Sequence, residues 1–599
     1  MDAILWVILA IVVIAVTTAV APKLNIAGPL ILVVIGIAVG LLPFVPAIHV
    51  DPELILVGVL PPLLYSAAVA MPAIEFRRDF GPIAGLSVLL VVLSSAALAV
   101  FFMMAIPGLS PYIAIGLGAI LSPTDAVATS IVKRLGISRR VVTMLEGESL
   151  LNDATALVLL RTMIAAVAVA SAGAAAEDRV ELGFVPSFLW GALVAVVVGG
   201  VVGYLNLRVR ALFSHSAANT AIGFVVPFVA YLPTELLGGS GLVAAVVAGI
   251  VTGQGAARWF TPEQRLSDEL NWRTIELVLE GAVFLLMGLE LKDIVDEISK
   301  DHDGIGVGVG LAAVALAIIL VVRAGYVAML VWLQSRRARG KQRSRLEQLS
   351  GRLDEIASGE RRPRLRTQRG RTRSSRRGGT SGEAGQDGGR GQRRLDAMRN
   401  RIARAMSDLD YYQASPLGWK HGTVIVWAGM RGVVTLAAAQ TLPVETTERA
   451  LLIFVAFAVA VGSLMLQGFT LPWLVRVLRF ESAAEDTVDR AEQASLDEAL
   501  RDAAVAAVTD SSLVRQDGSP FPADLIERVG ARLFAPPDEE TSASARNVLE
   551  LRLALIGAMR RRLNALSSGG AFSTAALRRA LAELDADELS LQLRLDDER

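Results

Sequence analysis

The chain contains no cysteine and four histidines among its 599 residues. Without cysteine it forms no disulfide, no thiolate nucleophile and no cysteine metal site. The histidines fall in loops or at the edges of apolar segments, which argues against a histidine metal site and against a histidine proton relay. They are His49, His215, His302 and His421.

Charged residues are also scarce, and long apolar runs take their place. Charged residues make up 19% of the chain, apolar residues 53%, and the mean hydropathy is +0.51. A soluble chain of this length would form several domains. Runs of about 18 or more apolar residues, however, find no core large enough to bury them in a soluble protein. The composition therefore predicts a polytopic membrane protein.

The first residues, MDAILWVILAIVVIAV, lack two features of a cleaved secretory signal. Asp2 stands where such a signal carries Lys or Arg, and no clear small-residue cleavage site follows. We therefore interpret this run as a retained first transmembrane span.

Hydropathy in a window of about 19 residues predicts thirteen transmembrane helices. The fold class that follows is an all-α polytopic membrane protein. The predicted helices lie near residues 3–21, 26–45, 52–71, 81–106, 111–133, 144–170, 185–207, 216–234, 239–256, 272–290, 305–334, 419–440 and 449–477.

Basic residues in the loops predict the orientation, because Lys and Arg accumulate on the cytoplasmic side. One alternate set of short loops holds few of them, namely Arg179, Lys292, Lys300 and Arg449. The other set is predicted to be cytoplasmic. In a bacterial plasma (inner) membrane this places the N-terminus outside the cell and the C-terminus in the cytoplasm. The basic residues of this cytoplasmic set are Lys23, Arg77, Arg78, Lys133, Arg134, Arg139, Arg140, Arg208, Arg210, Arg258, Arg265 and Arg273.

Two cytoplasmic regions interrupt or follow the spans. Between residues 336 and 410 there are 22 Lys or Arg against 9 Asp or Glu, with a centre rich in Gly, Ser and Arg. Such a stretch buries too little apolar surface to fold alone, so we favour a solvated insertion over a nucleic-acid tether and leave lipid contact open. The predicted domains are 1–334 with spans 1–11, the disordered basic insertion 335–418, 419–478 with spans 12–13, and a helical cytoplasmic domain, 479–599.

The fifth span, PYIAIGLGAILSPTDAVATSIV, carries a proline near its midpoint. Pro123 cannot donate a hydrogen bond to the Ala119 carbonyl, and Thr124 and Asp125 follow it. This pattern predicts a discontinuous helix whose oxygens face a cavity. A simple kink in which Asp125 caps the second half-helix is the plainer alternative, and the two are compatible.

The sixth span begins MLEGESLLNDATALVLL and carries four polar residues, Glu148, Ser149, Asn152 and Asp153. Positions i, i+3 and i+4 share a helix face, so we expect one narrow polar stripe. Hard oxygen ligands suit Na⁺, Li⁺ or K⁺, and desolvation raises the pKa of a carboxyl group towards the physiological range. Hydrogen bonding between packed helices is a purely structural alternative, which explains Ser149 or Asn152 well and Asp153 poorly.

Two arginines lie deep in later spans. Arg323 is the one charge of the eleventh span, and Glu148 is its best candidate partner, since a buried arginine needs an acid. Arg431 lies between Gly429 and Gly432 in the twelfth span, a pattern typical of a second broken helix whose charge meets facing helix ends. Interrupted helices in corresponding parts of the two halves predict an inverted-repeat transporter with a midplane site.

Three further charges give weaker indications. Glu280 and Glu290 flank VFLLMGL in the tenth span, where Glu280 is placed to line a cavity or pair with a basic group and Glu290 lies at the outer edge. Arg161, two turns beyond Asp153, has no partner that the sequence identifies.

Four segments together, SPTDAVATS, GESLLNDATALVL, EGAVFLLMGLE and AGMRGVVTLAAA, resemble the monovalent cation/proton antiporter superfamily, in its electroneutral sodium/proton exchanger branch. The resemblance covers about residues 1–477 and leaves out the insertion and the C-terminal domain. It implies a thirteen-helix fold in which a six-helix core domain moves against a dimerisation domain, and a homodimer.

The resemblance also implies roles for single residues. Asp153 corresponds to the carboxylate that binds the ion and the proton, and Asn152 stands where the electrogenic branch has a second aspartate. Ser66 stands where some relatives carry a glutamate near the ion path, which bears on cation preference. The remaining roles are oxygen ligands of Na⁺ beside Asp153 (Thr124 and Ser149), the carboxylate at the helix crossing (Asp125), a stabilising ion pair (Glu148 and Arg323) and the crossing-helix arginine (Arg431).

These patterns predict a transporter that exchanges Na⁺, or Li⁺ or K⁺, for H⁺ by alternating access, without a cofactor and without a chemical reaction. A K⁺-selective antiporter is the nearest alternative. A membrane sensor or channel-like protein that keeps the fold without antiport is a second, and Asp153 with the two broken helices argues against it. A membrane-anchored nucleic-acid or signalling protein built on the basic insertion finds no support in the other segments.

Overall fold

The protein is described by a computed structural model. The described residues are 2–45, 51–171, 177–300, 305–338, 417–480 and most of 495–597, with single positions and short gaps left out, and four residues between 406 and 412. Within them every regular element is a helix, and the one pairing of extended backbone is an isolated bridge between Val514 and Pro520. The predicted all-helical fold class is confirmed for this part of the chain.

The membrane part comprises helices α1 to α17. Two of them, α3 and α5, each contain a π-helical turn. The bounds are α1 Asp2–Leu24, α2 Gly28–Gly40, α3 Leu54–Ala70, α4 Ala73–Arg78, α5 Phe80–Ala105, α6 Pro111–Leu121, α7 Val127–Arg134, α8 Arg139–Ser171, α9 Glu177–Arg210, α10 Ser216–Leu236, α11 Gly241–Trp259, α12 Pro262–Leu289, α13 Leu291–Lys300, α14 Ile305–Ala338, α15 Trp419–Trp427, α16 Val433–Gln440 and α17 Arg449–Leu478.

Eight of the described helices are long and apolar enough to cross a membrane: α1, α5, α8, α9, α10, α11, α14 and α17. This confirms a multi-pass membrane protein, whereas the count of thirteen spans stays a prediction. Each predicted segment contains a helix or a pair of helices. The largest shift is in α12, which begins at Pro262 rather than near 272 because Thr261 and Gln264 form a capping box there.

Two groups of helices pack mainly among themselves. One group, which we call the α8 group, consists of α5, α6, α7 and α8. The other, the α11 group, consists of α3, α9, α10 and α11. Contacts between the groups are fewer and run mainly from α8 to α3, α9 and α11. The two groups therefore meet along a limited surface beside α8.

The C-terminal helices α18 (Ser542–Gly569) and α19 (Thr574–Asp597) form a hairpin whose apolar core also includes Leu496, Leu500 and Ala504. The hairpin is attached to the membrane part at the loop ends: the Thr574 backbone N–H donates to Glu75 at 2.6 Å, and Arg265 donates to Asp585 at 2.9 Å. Its predicted cytoplasmic location stays a prediction, and the insertion 335–418 lies mostly outside the described residues.

Candidate functional site

The gap between α6 and α7 faces the gap between α15 and α16. Pro123 lies in the first gap, and the Asp125 backbone N–H there donates to the Met430 carbonyl in the second gap at 2.7 Å. The Asp125 carboxylate accepts from the Val127 backbone N–H at 3.0 Å, which caps the start of α7. Both interpretations of Asp125, as a cap and as a charge beside the site, are therefore compatible with its position.

Arg431 supplies hydrogen-bond donors to the end of the opposite helix. The side chain is 2% exposed, and its Nε donates to the Leu121 carbonyl at 3.0 Å. It also donates to the carbonyls of Ser122 and Gly429, and its backbone N–H donates to Ser463 Oγ at 2.9 Å. A cation among the last carbonyls of α6 stabilises the negative end of that helix dipole.

The two glycines around Arg431 are explained by close approach of side chains. A Cβ atom on Gly429 would lie 2.6 Å from Arg323 Nε, and one on Gly432 would lie 1.4 Å from Asp125 Oδ2. No side chain fits at either place. The glycines therefore let the second gap pack directly against one charge from α14 and one from the first gap.

A chain of hydrogen bonds connects α14 to the first gap. Arg323 Nη2 donates to Glu148 at 2.9 Å and its Nη1 to the other carboxylate oxygen, while Nε donates to the Ile425 carbonyl at 3.0 Å. Thr124 Oγ1 donates to Glu148 at 3.2 Å and accepts from Asn152 Nδ2 at 2.7 Å. Arg323 and Glu148 are each 1% exposed, so both charges are buried and paired.

A cavity of about 1850 Å³ reaches the first gap from one end of the membrane part. That end carries Lys133 and Arg273, both from the loops predicted to be cytoplasmic, and residues of α18 and α19 also line the cavity there. Six of the predicted or possible site residues line it, namely Thr124, Asp125, Ser149, Asp153, Ser66 and Glu280.

The polar residues of α8 lie on two adjacent faces rather than on the single stripe that the sequence predicts. Ser149 and Asp153 line the cavity, whereas Glu148 and Asn152 do not and are 1% exposed. Each pair is separated by four residues, and neighbouring positions differ by about 100° around a helix. Asn152 therefore donates to Thr124 from the face of α8 that does not line the cavity. The Asn152 Oδ1 has no hydrogen-bond partner among the described residues.

A carboxylate that our sequence analysis did not select lies on the opposite wall. Glu276 lines the cavity one turn before Glu280 on α12 and interacts with the buried Ser66. α12 thus brings an acid to the part of the cavity wall that carries Ser66. The sequence did contain a signal for Glu276, since an acidic residue inside the predicted span 272–290 is a candidate functional residue.

Two of the three weaker charges, Arg161 and Glu290, have partners outside the cavity. Arg161 forms an ion pair with Glu235 on α10, at a position that no local sequence pattern connects to it. Glu290 caps α12 and accepts from Gln440 Nε2 of α16 at 2.9 Å. Neither pair lines the cavity.

Comparison with known proteins places the chain in a family. The sequence model described as "Sodium/hydrogen exchanger, transmembrane" matches residues 8–350. An uncharacterised Na⁺/H⁺ exchanger of Mycobacterium bovis is 27% identical over 595 residues, covering 96% of this chain and 94% of that protein. The sodium, potassium, lithium and rubidium/H⁺ antiporter of Bacillus subtilis is 32% identical over 277 residues, covering 46% of this chain and 41% of that one.

A solved structure has the same fold. The sodium proton antiporter MjNhaP1 of Methanocaldococcus jannaschii superposes with a TM-score of 0.52 over 80% of this chain and 99% of that one, at 16% sequence identity. The family match spans more than half of the 599 residues, and the buried charges lie where the two interrupted helices meet. The chain belongs to the sodium/hydrogen exchanger family of membrane transporters.

Proposed function

We propose that the protein exchanges one Na⁺ for one H⁺ across the bacterial plasma membrane by alternating access, with Asp153 as the shared binding group. The observation that carries this proposal is the position of Asp153 at the inner limit of the cavity along α8. Its carboxylate has no hydrogen-bond or ion-pair partner among the described residues. A group in this position binds either a cation or a proton, but not both at once.

Oxygen atoms beside Asp153 suit a small monovalent cation. Ser149 lies one turn before it on the same helix face, and Thr124 lines the same cavity from the first gap. Thr124 donates its one hydroxyl proton to Glu148, so a lone pair of its oxygen stays available for a cation. Na⁺ at Asp153, Ser149 and Thr124, with Asp125 nearby, is the arrangement that these contacts support best.

The other buried charges support electroneutral exchange. Glu148 is occupied by Arg323, and the Asp125 carboxylate accepts the Val127 N–H at the start of α7. The position that carries a second aspartate in the electrogenic branch is Asn152, which cannot take up a proton at physiological pH. Asp153 then carries the same net charge in both transit states, neutral with H⁺ and neutral with Na⁺.

The assembly and surroundings belong to the same proposal. We propose a homodimer, with the N-terminus outside, the C-terminus inside, and residues 479–599 as a cytoplasmic domain. Lipid surrounds the membrane part, and no cofactor and no nucleic acid take part. The cavity then opens to the cytoplasm, because it extends to the basic end of the membrane part.

Purified protein in proteoliposomes tests this proposal. With a pH-sensitive dye enclosed, an imposed gradient of NaCl, LiCl or KCl should drive proton movement in the opposite direction, and protein-free liposomes should show none. Na⁺ should be effective at the lowest concentration. A response to K⁺ alone would replace Na⁺ by K⁺, an alternative that the sodium, potassium, lithium and rubidium/H⁺ antiporter of Bacillus subtilis keeps open.

Two further results decide the mechanism. A valinomycin/K⁺ diffusion potential, applied once K⁺ is shown not to be a substrate, should leave the rate of Na⁺-coupled proton movement unchanged. A steady current that reverses with the Na⁺ gradient would contradict electroneutrality, and Asp125 and Glu280 would be the first residues to test for the extra proton. Proton movement without any cation dependence would contradict antiport and favour a sensor or channel.

A further inference from the structure

Arg161 connects the two helix groups on the side of Asp153 away from the cavity. It lies on α8 eight residues after Asp153, which is about 12 Å along the helix axis. Its Nη1 donates to Glu235 Oε2, and its Nη2 donates to the Tyr231 hydroxyl at 3.3 Å. Both partners belong to α10. The Arg161 guanidinium thus binds two side chains of the α11 group, whereas the Arg161 backbone belongs to the α8 group.

Glu235 is fixed in place from its own side. Its Oε1 accepts the backbone N–H of Gly241, the first residue of α11, at 2.9 Å. The carboxylate therefore closes the corner between α10 and α11 with one oxygen and holds Arg161 with the other. Glu235 is thus attached to the α11 group by its backbone and by this hydrogen bond.

The cavity and this pair lie on opposite sides of the site. Along α8 the cavity is lined by residues from Arg139 to Asp153, and by none of the described residues beyond Asp153. Across the cavity the opposite wall comes from α3, α11 and α12. On one side of Asp153 the cavity thus lies between α8 and the wall formed by α3, α11 and α12, and on the other side the charged pair joins α8 to α10.

We propose that Arg161, Glu235 and Tyr231 form a latch that holds the far side of the site closed while the cavity is open, and that opens once in each transport cycle. They are positioning residues, since they act on the relative position of the two groups and do not touch the ion. This inference rests on the proposed antiport function. It gives a role to Arg161 that neither its depth in the membrane nor its sequence context assigns.

The exposure of the pair fits a contact that breaks repeatedly. The side chains of Arg161 and Glu235 are 45% and 26% exposed, against 1% for each member of the Arg323–Glu148 pair. Separating two charges whose side chains are already partly exposed leaves less uncompensated buried charge, whereas separating a fully buried pair leaves two. The exposed pair can therefore open and close during turnover, and the buried pair stays closed.

Cross-linking tests the latch directly, because the chain has no native cysteine. The variant Arg161→Cys/Glu235→Cys carries the only two thiols, and a bis-methanethiosulfonate reagent with a short spacer joins them where a direct disulfide would not reach. Cross-linking should abolish Na⁺/H⁺ exchange in proteoliposomes, and reductant should restore it. The matched control is Trp190→Cys/Leu237→Cys, a pair in contact at the same end but within the α11 group, which should keep its exchange after cross-linking.

Single substitutions give a second readout that a purely structural role would not move. Arg161→Gln removes the contact that favours the cavity-open state, so the Na⁺ concentration for half-maximal rate on the cavity side should rise, by up to about fivefold for a pair this exposed. The conservative variant Arg161→Lys keeps the positive charge and should stay close to the wild-type value, while thermal unfolding of Arg161→Gln stays close to that of the wild type.

The outcomes separate this inference from the proposed function. Full exchange in verified cross-linked protein, or a half-maximal concentration unchanged in Arg161→Gln, would overturn the latch and leave antiport intact. Absence of exchange in the wild-type protein would overturn the proposed function itself, and with it the cycle in which the latch acts.

Discussion

The two helix interruptions at the centre of the protein carry opposite charges and meet solvent to different degrees. The first, between α6 and α7, presents Thr124 and Asp125 to the cavity. The second, between α15 and α16, turns Arg431 away from the cavity, where it is 2% exposed among backbone carbonyls. Each gap supplies hydrogen-bond donors to carbonyl groups of the other. The Asp125 N–H donates to the second gap, and Arg431 donates to the helix end at the first.

This difference separates a reactive surface from a scaffold. A carboxylate that meets solvent can exchange a proton for a cation, whereas a guanidinium among the last carbonyls of α6 stabilises the helix end and stays charged. In the proposed mechanism the first gap therefore supplies oxygens and negative charge to the ion, and the second supplies the positive charge that stabilises a helix end inside the protein. Substitutions on the two sides should consequently differ in kind.

The largest effect should come from the carboxylate beside the first gap. In the proposed mechanism Asp153→Asn removes both the charge that binds the cation and the group that binds the proton, so cation-dependent proton flux in proteoliposomes should vanish while membrane insertion persists. Asp51→Asn, an exposed carboxylate outside the cavity, is the matched control and should transport as the wild type does. Flux above a few per cent in Asp153→Asn would move the binding site elsewhere.

The next effect is on stability and concerns the pair that joins α8 to the second gap. Glu148→Gln or Arg323→Leu leaves one buried charge without a partner, which costs on the order of 3–5 kcal/mol. The double variant should be less destabilised than the sum of the two, as measured by thermal unfolding in detergent.

A double-mutant cycle on an exposed ion pair is the control for the coupling energy between Glu148 and Arg323. Arg579→Ala and Glu583→Ala remove a pair whose side chains are 73% and 59% exposed on α19, and such pairs contribute only about 0.3–0.5 kcal/mol. Strict additivity for Glu148 and Arg323 would show that the two charges do not act as a unit.

Close packing between the two gaps predicts a smaller loss, this time in the transport rate, when a glycine at the contact is replaced. In Gly432→Ala the new Cβ would lie 1.4 Å from Asp125 Oδ2, so the carboxylate must move, and displacement of a site group by about 1 Å lowers rates on the order of 100-fold. Gly462→Ala on α17, where no atom lies within 4 Å of the new Cβ, is the control. Equal fluxes in the two variants would show that the gaps do not need this contact.

The smallest effect should follow from shortening the connection into the second gap. Residues 342–392 belong to the basic insertion between α14 and α15 and lie outside the described residues. Replacing them with a short flexible linker removes no described helix and no buried charge, so flux per molecule should persist. Complete loss of flux in a correctly inserted protein would show that the insertion takes part in transport and that the second gap is more than a scaffold.

The sequence determined features that depend on neighbours along the chain. Apolar length predicts the membrane helices, because backbone groups in lipid must be satisfied within the helix. Pro123 interrupts its helix through its missing N–H, and the glycines around Arg431 mark the second interruption. Glu148 and Arg323 could be matched as partners because a buried charge needs an opposite one.

The tertiary structure decided which face each side chain occupies and which distant residue it meets. Four polar residues of α8 share a short stretch of sequence, yet Asp153 and Ser149 face the cavity while Asn152 faces Thr124. That choice depends on the rotation of α8 against its neighbours, which a polar stretch without a clear apolar face does not specify. Arg161 likewise meets Glu235, 74 positions away, because two helix groups come together there, and no local pattern records how groups of helices pack.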